Sequence, residues 1–123
     1  MGIFRFITSF NIYVHGHYLT VLVYKHRYDR NYQQHYLIGY QVANSLGRRT
    51  SNLYRCLRDR GITLDTLSEQ KIKELISNGT LIQGANSITL IPYDEGRKYI
   101  EQCEMNEIEE AANILIRMSK KLI

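Results

Sequence analysis

The first third of the chain alternates hydrophobic and polar residues with the two-residue period of β-strands. Residues 3–14 place aromatic and β-branched side chains at every second position, and a run rich in Val and Leu follows at 18–26. Residues 15–17, His-Gly-His, suit a tight turn between them, so the pattern predicts an N-terminal β-hairpin. After a polar loop at 27–34, residues 35–38 are expected to return as a third strand.

The spacing of hydrophobic residues then changes to that of α-helices. A short helix is predicted over residues 39–46, and Gly47 ends it because glycine adopts positive φ at little cost. A second helix is predicted to begin at Thr50 or Ser51, either of which can cap it, and to end at Gly61. Two short helices joined by such a turn predict a helix-turn-helix unit. The residues expected to face inward are Val42, Ala43 and Leu46 in the first helix and Leu53, Cys56, Leu57 and Arg60 in the second.

A third helix and a β-hairpin are predicted after this unit. Asp65 or Ser68 can cap the helix, and Gly79 follows its last turn. Residues 81–82 and 87–91 are hydrophobic and flank a polar turn, so they are expected to pair as a hairpin in the position of a wing.

Two further helices are predicted to complete the chain, one ending at Cys103 and one covering residues 105–122. The order of elements predicts an α+β fold: a winged-helix-like helix-turn-helix domain with an N-terminal β-hairpin over residues 1–104, and an additional C-terminal helix over residues 105–123. We expect this last helix to pack on the domain or to serve in association. Its hydrophobic stripe consists of Ile108, Ala111, Ala112, Leu115, Met118 and Leu122.

Positive charge is concentrated in the helix-turn-helix unit. Residues 48–60 hold five arginines and one aspartate, so their net charge of +4 equals that of the whole chain, while residues 61–123 are acidic. A basic front and an acidic back are typical of a one-sided polyanion binder. An acidic protein partner and a merely solvated surface are the alternatives.

Nucleic-acid contacts are predicted on the outward side of the second helix and at the tip of the wing. Arginine forms paired hydrogen bonds with guanine or phosphate, and small hydroxyls and free amides suit phosphates. Tyr54, Arg55 and Arg58 are expected to face the major groove of duplex DNA. The residues expected to hold phosphates are Arg48, Arg49, Thr50 and Ser51, with Gln83 and Asn86 on the flanking backbone.

Tyrosines recur every four residues through the strand and loop region. Such rings can stack on unpaired bases, but their β-rich surroundings favour tyrosines that pack at the rim of the core. The residues concerned are Tyr24, Tyr28, Tyr32, Tyr36 and Tyr40.

Several hydrophobic segments between Leu19 and Cys103 follow the pattern of a known family. They are Tyr54-Arg55-Cys56-Leu57 running to Ile62, residues 70–75 with Gly79, Ile88-Thr89-Leu90-Ile91, Asp94 and Cys103. In this spacing the chain resembles the Ski/Sno/Dachshund homology domain. The family's Cys-Leu-Pro-Gln run appears here as Leu37-Ile38-Gly39-Tyr40-Gln41, without the cysteine and the proline, so the resemblance is to a remote or diverged member. It implies a nuclear regulator of transcription whose domain binds DNA or other regulatory proteins.

The sequence offers little for catalysis or for a cofactor. No carboxylate or cysteine is spaced to complete a metal site with the four histidines, no glycine-rich phosphate loop occurs, and no catalytic combination is legible. We therefore expect no enzyme, no metal and no cofactor. Two cysteines, Cys56 and Cys103, are expected to be buried thiols. No hydrophobic run is long enough to cross a bilayer, and the N-terminus lacks the features of a signal peptide, so an intracellular protein is expected.

A protein-interaction module that assembles corepressor or chromatin complexes is the alternative function. Its surface would be the sheet, the wing or the last helix. A homodimer through the last helix is one form of it, with Ile108, Leu115, Met118 and Leu122 in the interface.

Overall fold

The computed structural model of the chain describes residues 3–81 and 87–121. Within these ranges the chain forms five β-strands and four α-helices, which confirms the α+β class. The strands are β1 (Phe4–Val14), β2 (His17–His26), β3 (Gln33–Ile38), β4 (Asp65–Leu67) and β5 (Ile88–Pro92), and the helices are α1 (Gly39–Ser45), α2 (Thr50–Asp59), α3 (Glu69–Ser77) and α4 (Tyr93–Lys121).

The strands form one sheet in the order β1-β2-β3-β5-β4, with every neighbouring pair antiparallel. The predicted N-terminal hairpin is confirmed as β1 and β2. His15 and Gly16 join the two strands with φ angles of 49° and 84°. Two successive residues with positive φ are typical of a type I′ turn, whose twist matches that of the flanking strands.

β5 pairs differently from the predicted wing. Its partners are β3 and β4, and the short strand β4 was not expected from the sequence. Leu81, the described residue of the predicted partner strand, lies outside any strand, and its N–H donates to the Leu75 carbonyl at 3.1 Å. Pairing with β3 lets β5 bury Leu90 and Ile91, which are both fully enclosed. The winged-helix arrangement is therefore not confirmed.

Both faces of the central strands are buried. Val21, Leu37 and Ile91 lie side by side in register and belong to one core cluster, which includes residues of α1, α2 and α4. Neighbouring positions such as Leu22 and Ile38 point to the opposite face and join a second cluster with α3. The sheet is thus covered by three helices on one side and by one on the other.

Gly47 ends α1 as predicted. Its φ is 64°, its N–H donates to the Asn44 carbonyl at 3.2 Å, and the Arg48 N–H donates to the Ala43 carbonyl at 2.9 Å. These two bonds define a Schellman motif, which satisfies carbonyls that have no partner within the helix. At its N-terminus, α3 is capped by Ser68, one of the two residues predicted for that role.

α4 is one continuous helix of 29 residues, so the prediction of two separate helices that meet near residue 104 is wrong. The sequence between Arg97 and Lys121 contains no glycine or proline and is rich in good helix formers, so nothing ends the helix there. The first part buries Tyr99 and Cys103, whereas every residue over 105–119 is exposed. The last helix was expected to pack on the domain or to serve in association, and the exposure of residues 105–119 leaves association as the prediction for this part. None of the helices in the described part of the chain is both long and apolar enough to span a membrane.

Gly39 stands at the start of α1, where the Tyr54 side chain crosses the backbone. A Cβ atom at residue 39 would lie 2.5 Å from the Tyr54 hydroxyl oxygen and 2.9 Å from the Thr89 carbonyl oxygen. Because that carbonyl belongs to β5, it cannot rotate away. We therefore expect Gly39→Ala to lower the free energy of unfolding by about 2 kcal/mol, measured by urea denaturation.

Gly61→Ala is the matched control. A Cβ atom there meets no neighbour within 4 Å, so only the φ of 80° opposes the substitution, at a cost of about 1 kcal/mol. A loss in Gly39→Ala no larger than the loss in Gly61→Ala would contradict the expected clash.

Candidate nucleic-acid interface

The two short helices predicted for a helix-turn-helix unit are present as α1 and α2, and the residues between them form a turn at Gly47. The two helices contact each other across the turn at Gly47, and Leu53 and Leu57 of α2 are fully buried in the same cluster as Val42 and Ala43 of α1. Of the other residues expected to face inward, Cys56 is half-buried and Arg60 is exposed. The buried leucines fix which side of α2 faces the core.

The opposite side of α2 presents a line of polar and basic residues. Ser51, Arg55 and Arg58 follow one another at spacings of four and three, so they share the face opposite Leu53 and Leu57, and all three are exposed. Within residues 3–81 and 87–121, neither arginine has a carboxylate within 4 Å. The predicted outward position is confirmed for these side chains.

The first turn of α2 is open to an anion. Its N-cap is Arg49, which makes no side-chain capping bond, and the first turn contains no acidic residue. The prediction that Thr50 or Ser51 caps α2 is wrong, because both residues lie inside the first turn of the helix and are exposed. The amides of this turn have no partner within the helix, and the helix dipole makes this end electropositive. Arg49, Thr50 and Ser51 are all exposed around it.

Two arginines of the basic set lie against α4. The Arg48 guanidinium donates to the Tyr99 hydroxyl at 2.6 Å, and the Arg60 guanidinium lies 4.8 Å from the centre of the Tyr99 ring. Arg60 also donates to the Gln102 side-chain oxygen at 2.7 Å. Burial raises the pKa of Tyr99, an effect that the nearby charge of Arg48 partly offsets. Arg48 therefore connects the turn to α4, a role that no local sequence signal indicated.

Tyr54 does not lie with the outward arginines. It is half-buried, and its ring covers the backbone of Gly39. Burial raises the pKa of Tyr54, while a hydrogen bond with Thr89 and the charge of Arg58 lower it. The expectation that this ring faces the major groove is therefore corrected, since the side chain packs between α1 and β5. The two residues predicted at the wing tip, Gln83 and Asn86, lie outside the described residues.

The predicted hydrophobic stripe of the last helix is exposed. Ile108, Leu115 and Met118 are 61%, 67% and 57% exposed, respectively, and their spacings of seven and three residues place them on one helix face. Leu122 lies outside the described residues. Burial of so much hydrophobic surface requires contacts that the described domain itself does not supply.

The cysteines and histidines do not form a metal site or a disulfide in the described part of the chain. Cys56 and Cys103 are both free, and Cys103 is buried as expected. Among the described residues, no three His, Cys, Asp or Glu side chains are grouped as a metal site would require. His15 instead lies 2.8 Å from Glu104 of α4, from its Nε2 to the carboxylate.

Comparison with known proteins gave no match to a family model, to a curated protein or to a solved structure. The resemblance to the Ski/Sno/Dachshund domain therefore stays a prediction.

The hydrogen bond between Arg48 and Tyr99 should couple the two residues energetically. Tyr99→Phe removes the accepting hydroxyl but keeps the ring under Arg60, and Arg48→Met removes the donor. We expect the double variant to be less destabilised than the sum of the single variants by about 1 kcal/mol in urea denaturation. Arg49→Met, combined with Tyr99→Phe, is the matched control and should give additive losses. Equal coupling in both pairs would show that the bond contributes nothing specific.

Proposed function

We propose that this protein binds duplex DNA through α2, with the helix in the major groove. The observation that carries the proposal is the exposed line of Ser51, Arg55 and Arg58 on the side of α2 opposite its buried leucines. In a helix-turn-helix protein, the second helix enters the groove and its outward side chains reach the base edges. α1 and the Gly47 turn supply that arrangement here.

The residues of α2 divide into two roles. Arg55 and Arg58 reach base edges, where a guanidinium reads guanine through two parallel hydrogen bonds. Arg49, Thr50 and Ser51 surround the open N-terminal turn and bind backbone phosphates, which fix the position of the helix on the duplex. Arg48 supports this surface indirectly, because its bond to Tyr99 holds the turn against α4.

Neutralisation of Arg55 and Arg58 tests the proposal. Binding to a short labelled duplex of mixed sequence is followed by fluorescence anisotropy over a salt series. We expect Arg55→Gln/Arg58→Gln to weaken binding about tenfold or more at low salt, because the paired hydrogen bonds to base edges are lost. The slope of log K against log salt should also become shallower, because two positive charges are removed from the surface that faces the duplex.

Lys73→Gln/Lys98→Gln is the charge-matched control. Both lysines are exposed and lie outside α2, on α3 and on the first part of α4, and the net charge falls by the same amount. If both double variants show the same decrease in affinity and the same change in salt slope, the effect is one of overall charge and α2 is not the interface.

The exposed half of α4 favours a second function, the association of two copies of the chain. Ile108, Leu115 and Met118 repeat with the heptad spacing of a helix-pairing seam. Acids (Glu107, Glu109 and Glu110) precede bases (Arg117, Lys120 and Lys121) along this half. An antiparallel pair of identical helices places acids against bases and satisfies two-fold symmetry. A dimer of this kind would present two α2 helices, as dimeric DNA-binding proteins do.

Leu115→Glu places a charge in the centre of this seam. We expect the unchanged chain to have the mass of a dimer in sedimentation equilibrium and Leu115→Glu to have that of a monomer, because a buried unpaired carboxylate opposes association. Asn113→Glu adds the same charge on the polar side of α4 and should remain dimeric. A monomeric unchanged chain, or dissociation in both variants alike, would remove α4 as the seam.

A further inference from the structure

A basic cleft lies at the end of the β1–β2 hairpin opposite its turn. It has a volume of about 710 Å³ and is lined by Arg5 of β1, Lys25 and His26 of β2, and Arg27 and Arg30 of the loop that follows β2. The loop joins β2 to the first residue of β3, whereas α1 begins directly after the last residue of β3. The cleft and the turn into α1 therefore lie at opposite ends of β3, and the cleft is a separate surface from α2.

The cations that line the cleft form no ion pair among the described residues, although Glu74 lines a neighbouring cavity together with Arg5 and Arg27. In the part of the chain that the structure describes, Arg5, Lys25, Arg27 and Arg30 have no carboxylate within 4 Å. The loop's own acid, Asp29, accepts a hydrogen bond from the Asn31 N–H at 3.0 Å. Four cations that converge on one open cleft attract a polyanion.

Further aromatic rings contact His26, which lines the cleft. The His26 ring lies 5.4 Å from Phe4, 6.0 Å from Tyr28 and 6.1 Å from Tyr32, measured between ring centres. Tyr28 is 84% exposed and Tyr32 is 47% exposed. The expectation that the regularly spaced tyrosines pack at the rim of the core holds for Tyr24 and Tyr36, which are buried, and is wrong for Tyr28.

Local hydrogen bonds hold the loop in this shape. His26 Nδ1 accepts from the backbone N–H groups of Tyr28 and Asp29 at 3.1 and 3.0 Å, and the His26 N–H donates to the Tyr32 carbonyl at 3.0 Å. The Arg27 N–H donates to the Ile3 carbonyl at 2.8 Å, which ties the loop to the start of β1. The rings and the cations are thus positioned before any ligand binds, which lowers the ordering cost of binding.

We propose that this cleft binds single-stranded nucleic acid, with phosphates on Arg5, Arg27 and Arg30 and an unpaired base stacked on Tyr28. Positive charge alone would suit any polyanion. An exposed tyrosine ring beside the cations adds a surface for the flat face of a base, and charged grooves with aromatic platforms are how proteins bind single strands. The proposal does not depend on the binding of duplex DNA by α2.

One variant tests the stacking of a base on Tyr28, and a second tests the binding of phosphates by Arg27 and Arg30. The probe is a labelled oligo(dT) of about twelve nucleotides, a length that covers the usual site sizes, followed by fluorescence anisotropy. We expect Tyr28→Ala to weaken binding about tenfold, the typical effect of losing one stacked base. Arg27→Gln/Arg30→Gln should weaken binding by a similar or larger factor and reduce the salt dependence. Lys73→Gln/Lys98→Gln again serves as the charge-matched control.

Inorganic polyphosphate distinguishes stacking from simple charge attraction, because it carries phosphates but no base. The Tyr28→Ala variant should lose affinity for oligo(dT) by a much larger factor than for polyphosphate. Equal losses for both ligands would overturn the stacked base. Undiminished oligo(dT) binding in both cleft variants, or no binding of oligo(dT) and oligo(rU) by the unchanged chain, would overturn the site. The oligo(rU) measurement also shows whether the strand is RNA or DNA.

Discussion

Burial of both faces of the central strands is the constraint from which the rest of the structure follows. Val21 and Leu22 are consecutive residues of β2 and both are fully enclosed, as are Leu37 and Ile38 of β3. Because consecutive side chains of a strand point to opposite faces, each face needs its own cover of helices. α3 supplies one cover, and α1, α2 and α4 supply the other. The side of α2 that remains exposed is therefore determined by the packing of the sheet.

Tyr99 sets the position of α2 relative to α4. It is buried among residues of the sheet and of both helices, and its hydroxyl and its ring engage Arg48 and Arg60, which precede and follow α2. Two of the five arginines in this segment thus have internal partners. Among residues 3–81 and 87–121, Arg49, Arg55 and Arg58 have no such partner, and these three form the outward surface. A count of charges along the sequence does not separate the two groups, whereas their contacts do.

The elements predicted correctly are those that local chemistry specifies. Alternation indicates β1, a run rich in Val and Leu indicates β2, the glycine at position 47 ends α1, and Ser68 caps α3. Each of these signals lies in residues within a few positions of one another. The errors concern partners that are distant in sequence. β5 pairs with β3 and β4, and Tyr54 packs on Gly39. α4 continues past the point where its hydrophobic residues change from the buried Tyr99 and Cys103 to the exposed Ile108 and Leu115. The sequence pattern predicts the end of a helix at this change, but the helix continues and only the burial of its residues ends there.

The helices differ in how their charged residues are paired in the described part of the chain. On α3 and α4, Lys73 and Arg97 each have a glutamate four residues away at 3.7 Å, the spacing that stabilises an isolated helix. On α2, Asp59 follows Arg55 by four residues, but the two form no ion pair among the described residues. Arg55 and Arg58 are near neighbours of like charge, which costs a few tenths of a kcal/mol. A polyanion of the kind proposed for α2 would offset this repulsion and would stabilise the folded state by mass action.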